Sequence, residues 1–189
     1  MKVLVTGSSG FLLSNILPIY DNWEIIHYKP GNEYRDIQLI LHFASPSDSY
    51  DFKDKIKMAT SMVDLTQTMI RIAVTNKCKL VFASSLAADV LQDDYGIYKR
   101  AMEQYIQAVL TDYLILKIPR VYGRDRTKGL MKKIALNHID DWSKTIEYIN
   151  INDFVLWFTR ILNNTGIEYY SGDIQCHNIK KIKELFCEF

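Results

Sequence analysis

The chain has 189 residues, 48% of them apolar and 24% charged, a composition that supports a folded core and excludes a wholly disordered chain. Lysine and arginine number 23 against 22 acidic residues, so a net charge of +1 offers no whole-chain electrostatic case for nucleic acid or an anionic membrane. The longest apolar run, Phe154 to Phe158, is far short of the roughly 20 residues that span a bilayer. The chain enters a strand pattern at once with no signal-peptide layout. Cys78, Cys176 and Cys187 are widely spaced without a CxxC. A soluble cytoplasmic protein with no disulfide framework and no metal site is therefore expected.

In chain order, Lys2 to Thr6 (KVLVT) reads as a strand, Gly7-Ser8-Ser9-Gly10 as a turn, and Phe11 to about Tyr20 as a helix, the opening of a βαβ unit. Trp23 to Tyr28 is a second strand, followed by turn chemistry at Pro30-Gly31-Asn32. Gln38 to Ala44 (QLILHFA) is a buried strand that Pro46 breaks, and Ile56 to Val74 carries apolar residues at helical spacing. Lys79 to Ala83 (KLVFA) is a buried strand ending at Ser84-Ser85. A helix from about Gly96 to Leu110 and a strand from Asp112 to Ile118 follow. Beyond Gly123 the pattern predicts a basic helix near 129–137, a strand near 146–149, a helix over 153–162, a weak strand near 168–170 and a basic amphipathic helix from about Asn178. Near-continuous apolar strands alternating with amphipathic helices predict an α/β fold, a Rossmann-like doubly wound parallel sheet covered by helices on both faces. Residues 1–123 form its core, and residues 124–189 a reduced part packed on it as one unit.

Three groups carry chemistry. Gly7 permits a tight turn and Gly10 lets the backbone approach a pyrophosphate, the pattern of a dinucleotide turn; a plain strand-to-helix linker has the same look. Leu13 stands where that pattern wants a third glycine. Tyr95 and Lys99 are four apart at the start of a helix and share a face, so the ammonium can lower the phenol towards a usable acid–base range. A surface Tyr/Lys pair would look no different. Ser84-Ser85 lies at the carboxyl end of a buried strand, where ligands bind in open α/β sheets.

With TGSSGFL at 6–12, HFAS at 42–45, VFASS at 81–85, YGIYK at 95–99 followed by Glu103, IPRVYG at 118–123 and INDF at 151–154, the chain resembles the extended short-chain dehydrogenase/reductase family. It is closest in pattern to the nucleotide-sugar epimerases, dehydratases and 4-keto-sugar reductases of that family. The resemblance implies that Gly7, Ser9, Gly10, Phe11 and Leu12 line a dinucleotide pyrophosphate, that Asp36 and Ile37 flank the adenine, and that Phe43, Ala44 and Ser45 border the riboses. It implies Ser85, Tyr95 and Lys99 as catalytic residues, with Lys99 also on the nicotinamide ribose, Pro119 beside the nicotinamide amide, and Ser85 and Arg120 towards substrate. The implied activity is NAD(P)-dependent hydride transfer on a nucleotide sugar by a homodimer built on the two long helices, with residues 124–189 serving the substrate.

The chain departs from that pattern in several places. The interval from Ser85 to Tyr95 is short, Met62 stands for an asparagine of the middle helix, one strand is missing after the second, and the part after Gly123 is small. A non-enzymatic dinucleotide-binding sensor or regulatory subunit on the same fold is the alternative. No acid ends the second strand, where one would select NAD; Lys29 and Arg35 instead suggest a slight preference for NADP. His42 is expected to be a packed strand histidine and Trp157-Phe158 core. Tyr169-Tyr170 reads as strand packing, and Lys180, Lys181 and Lys183 as a solvated helix face.

Overall fold

The computed structural model describes residues 1–46, 54–123, 126 and 129–186; Cys187 lies outside them. In chain order its elements begin with β1 (Lys2–Thr6), α1 (Phe11–Ile16), β2 (Glu24–His27), β3 (Leu39–His42), α2 (Lys55–Ala59), α3 (Leu65–Asn76), β4 (Lys79–Ser85) and α4 (Ala87–Val90). They continue with α5 (Asp94–Val109), β5 (Tyr113–Ile118), β6 (Val121–Tyr122), α6 (Leu130–Ala135), β7 (Thr145–Asn150), α7 (Ile151–Ile161), β8 (Gly166–Tyr169), β9 (Gln175–Asn178) and α8 (Ile179–Phe186). Six strands form one parallel sheet in the order β2-β1-β3-β4-β5-β8, as the doubly wound reading expects. The chain goes from β1 to one side for β2 and returns to the other side for β3. The order therefore reverses at β1, and ligands of open α/β sheets bind outside the carboxyl ends of the strands at such a point.

Strand periodicity divides the core. Val3 and Val5 of β1 face a layer with Leu13 and Ile16 of α1 and Phe154, Trp157 and Phe158 of α7. Leu4, between them, faces the other layer with Met69, Ile70 and Ala73 of α3 and Met102 and Ile106 of α5. Each large side chain of α7 stabilises the fold by about 1.5–3 kcal/mol through burial.

Local chemistry moves several boundaries. Pro18 sits in a 3-10 turn, Leu17–Ile19, so α1 stops at Ile16 rather than running to Tyr20. Asp93 caps α5 by accepting from the Gly96 N–H at 2.8 Å, which starts that helix two residues before Gly96. The long middle helix is interrupted by a π-helical turn, Thr60–Asp64, that buries Met62. Strand β9 is polar and exposed, carries no apolar alternation, and was not expected; it pairs antiparallel with β7.

The cores do not divide at Gly123. Helix α7 and strand β8 complete the main sheet and its core. The smaller sheet, β6-β7-β9, has its own cluster of Tyr122, Ile134, Ile146, Tyr148, Ile179 and Ile182. Trp157 and Phe158 are core as expected. Lys183 differs from a purely solvated face: it donates to Asn137 Oδ1 at 2.6 Å and lies 5.4 Å over the Trp142 ring.

Candidate active site

The glycine turn stands at the carboxyl end of β1. Gly7 has φ +74°, and a Cβ there would fall 2.7 Å from the Ala44 nitrogen, so both conformation and the passing Phe43-Ala44 backbone require glycine. At Gly10 a Cβ would meet the Gly7 carbonyl at 2.9 Å, the same carbonyl that accepts from the Gly10 N–H. Ser9 and Gly10 are exposed.

His42 locks this turn to its neighbours. Thr66 Oγ1 donates to the Met62 carbonyl at 2.7 Å and meets His42 Nε2 at 2.8 Å. Thr6 Oγ1 accepts from the Ala44 N–H and lies 2.6 Å from His42 Nδ1. The consistent assignment is a neutral imidazole that donates from Nε2 and accepts at Nδ1. Burial, and secondarily the charge of Lys99, pushes His42 down to about 3. It is a satisfied core histidine, as expected.

The opposite wall is built by β4, α4 and α5. Ser85 Oγ accepts from the Ala87 N–H at 3.2 Å. Gly96 packs against the Ala87 carbonyl so closely that a Cβ would lie 2.4 Å from it, which draws the start of α5 towards the end of β4. Lys99 is buried. Its Nζ donates to the Ala83 carbonyl at 2.6 Å, 4.6 Å from the Phe82 ring centre and 5.7 Å from that of Tyr95. Burial pushes Lys99 down to about 7, against the opposing pull of Glu103. Tyr95 is acted on from several sides. Burial raises its phenol, a hydrogen bond with Ser45 and the charge of Arg126 lower it, and Asp93 raises it. Lys99 lies against the Tyr95 ring and is directed to the Ala83 carbonyl.

Two groups escaped sequence reasoning. Arg126 donates to the Val121 carbonyl and lies 5.4 Å over the Phe11 ring, between the glycine turn and Tyr95. Nothing local in the sequence marks it. Lys117 is completely buried and donates to Asp89 Oδ1 at 2.7 Å and Glu103 Oε2 at 2.8 Å. A lysine inside the apolar strand YLILKI was a readable signal for such a cluster, since a buried charge needs a partner.

Other predicted positions separate. The Gln38 N–H donates to the Lys2 carbonyl, and Lys2 Nζ to the Arg35 carbonyl, at the amino end of β1. Arg35, Asp36 and Ile37 thus lie one strand length, about 15 Å, from the glycine turn. Ile37 is 2% exposed in the core and Arg35 pairs with Glu33 at 3.0 Å. The loop descends to that edge before β3 begins, so these residues do not border the turn. Lys29 does lie at the carboxyl edge, next to the Tyr28 N–H that donates to Val5, and its own N–H and carbonyl both bond the Tyr34 hydroxyl. His27 Nδ1 lies 2.9 Å from Ser8 Oγ, where an acid was looked for. Leu12 and Phe43 pack on the core edge, Pro119 is buried and Arg120 exposed.

No protein-family model matches the chain. A UDP-2-acetamido-2,6-beta-L-arabino-hexul-4-ose reductase of Pseudomonas aeruginosa is 24% identical over 189 residues, covering 86% of this chain and 50% of that enzyme. The chain thus spans about half the length of that curated relative. The Thermus thermophilus UDP-glucose 4-epimerase solved with NAD aligns with a TM-score of 0.77 at 17% identity, covering 96% of this chain and 81% of that one. The chain has the fold of these enzymes. The NAD-dependent NDP-hexosamine 5,6-dehydratase TunA, of tunicamycin biosynthesis, aligns with a TM-score of 0.79 at 16% identity over 98% of this chain and 80% of its own. The Rossmann-like α/β architecture read from the strand and helix pattern is therefore the observed one. Among the described residues, no helix is long and apolar enough to cross a membrane.

Proposed function

We propose that the protein is an NAD(P)-dependent enzyme acting on a nucleotide sugar, as an epimerase, dehydratase or 4-keto-sugar reductase. One observation carries this reading. The fold of such enzymes brings a buried lysine, a tyrosine and a serine to the carboxyl edge of the sheet, beside a glycine turn at its reversal point. The pairing of Tyr95 with Lys99 favours the enzyme, since a non-enzymatic binder needs no Tyr/Lys pair. The printed activities of the similar proteins support the class, and the NAD of the epimerase structure supports the cofactor.

A nicotinamide dinucleotide supplies the hydride chemistry when bound. The residues fit it: Gly7 and Gly10 keep side chains off the turn, and Ser9 and Gly10 are exposed where the pyrophosphate would lie. Phe11, Leu12, Phe43, Ala44, Ser45 and Pro119 complete the proposed cofactor wall. Tyr95 exchanges the proton of the reacting hydroxyl, Ser85 hydrogen-bonds the same oxygen, and Lys99 holds the nicotinamide ribose. Ser45, hydrogen-bonded to Tyr95, favours the ionised phenol. Arg120, exposed beside the edge, reaches for substrate. Of the two cations considered for a 2′-phosphate, Lys29 alone stands at the right edge, and the slight preference for NADP rests on it. A homodimer is proposed on the outer faces of α3 and α5, where Val74, Ile97, Tyr105 and Val109 are exposed. Sedimentation at micromolar concentration checks it, and a lone monomer would refute it. The activity is tested by mixing NADH or NADPH with a panel of nucleotide 4-keto sugars and following nicotinamide fluorescence. Oxidation with at least one sugar is expected; cofactor binding without turnover on any sugar favours the sensor.

A further inference from the structure

Behind the candidate site lies a buried cluster of charges that the proposed chemistry does not use. Glu103, fully buried, stands one helical turn beyond Lys99 on the same face of α5. Its Oε1 accepts from the Ser84 hydroxyl, its Oε2 accepts from Lys117 Nζ at 2.8 Å, and Arg100 Nη1 lies 3.4 Å from Oε2. Lys117 reaches on to Asp89 at 2.7 Å, and Arg100 lies 3.5 Å from the same oxygen. One carboxylate thereby joins β4, at the residue before Ser85, to α5, which carries Tyr95 and Lys99, and to β5.

We propose that Glu103 is the positioning residue of this site: it fixes the helix of Tyr95 and Lys99 against the strand of Ser85 and supplies the counter-charge of the Lys99 ammonium. The proposal rests on the reading of Lys99 as the active-site cation. The groups around Lys99 make the assignment specific. From β3 comes His42, which is neutral; from β4 come the Phe82 ring and the Ala83 carbonyl; from α5 come Tyr95 and Glu103. Lys117 on β5 and Arg100 meet Glu103 rather than Lys99, and Asp89 on α4 meets Lys117 and Arg100. Glu103 stands one turn from Lys99 on the same buried face of α5, and its charge raises Lys99 against the burial that lowers it. An ammonium in so dry a place loses its proton easily without that charge. The same carboxylate, paired to Lys117, is itself spared the cost of lone burial.

The test reads the charge of Lys99 directly in the cofactor-free protein. Lysine ε-carbons are labelled with carbon-13 and titrated by NMR; the signal missing from Lys99→Met belongs to Lys99. Glu103→Gln keeps the shape of the side chain and leaves Lys117 its pair with Asp89, so the decisive comparison is Glu103→Gln against the parent. Thermal melting checks that the variant is folded; where it is not, Lys117→Met with Glu103→Gln, which replaces both buried ions with neutral groups of similar size, takes its place. The Lys99 midpoint is expected to fall by about one to three pH units in the variant that lacks the carboxylate. Glu103→Asp, which keeps the carboxylate, should hold the midpoint near that of the parent. An unmoved midpoint in the folded variant that lacks the carboxylate, or the same fall in Glu103→Asp, overturns the proposal. Absence of turnover with every sugar would instead count against the enzyme reading, which this titration does not use.

Discussion

The two flanks of the glycine turn are built on different principles. On the β4–α5 side, Ser84, Lys99, Glu103 and Lys117 are buried and each is bonded to another element of that wall. On the β2 side, the strand is an edge with Glu24 and His27 exposed, and Lys29 is held through its backbone by the Tyr34 hydroxyl. The first arrangement fixes charges in low dielectric, where each is strong and costly to disturb. The second offers hydrogen bonds in water, where each is worth little. A flank that moves protons needs the former; one that holds a nucleoside can work with the latter.

The largest test of this contrast is Tyr95→Phe. Turnover should fall by about a hundredfold to ten-thousandfold, the usual worth of a general acid–base group, while cofactor titration shows nearly unchanged affinity. Unreduced turnover would move the chemistry to another residue. For stability, Lys117→Ala leaves Glu103 buried beside fewer partners and should cost about 3–5 kcal/mol in denaturant unfolding. The counterpart on the β2 flank, Tyr34→Phe, removes the bonds to Lys29 and should cost about 1 kcal/mol. Equal losses would erase the distinction between the flanks.

The pH dependence sharpens it further. His42 is held down to about 3 against an ordinary 6.5, so the unfolded chain binds more protons between those values. Stability should fall as pH drops from about 6.5 towards 3, and His42→Gln should flatten that limb. Lys99 is held down to about 7 from 10.5, so stability should rise as pH climbs through that window, and Lys99→Met should remove the rise. Thermal melts across the range read both. The smallest effect belongs to the edge. Lys29→Ala should weaken NADP severalfold, the scale of about 1 kcal/mol for an exposed ionic contact, and leave NAD unchanged. Arg35→Ala should change neither, since it lies at the far end of β1.

Features set by neighbours in the chain were legible. The alternation of KVLVT and QLILHFA with amphipathic helices sufficed for the sheet, because apolar periodicity is local and burial on both faces follows from it. The Gly7 turn was legible because a positive φ demands glycine, and the shared face of Tyr95 and Lys99 because helical spacing imposes it. Polar β9 and the π-helical turn at Met62 were not, since pairing with β7 and packing around the helix decide them.

At the candidate site, the same divide separates residue from role. The sequence by itself determined that Ser85, Tyr95 and Lys99 come at the end of a strand and the start of a helix. Tertiary structure decided that Lys99 is buried and turned to the Ala83 carbonyl, and that Arg126, arriving from beyond β6, adds its charge near Tyr95. It also decided that Arg35, Asp36 and Ile37 stand at the wrong edge, because the loop from Lys29 descends a full strand before β3 begins. Electrostatic partners and the path of a loop depend on where distant segments meet in space, and a local pattern carries no record of that.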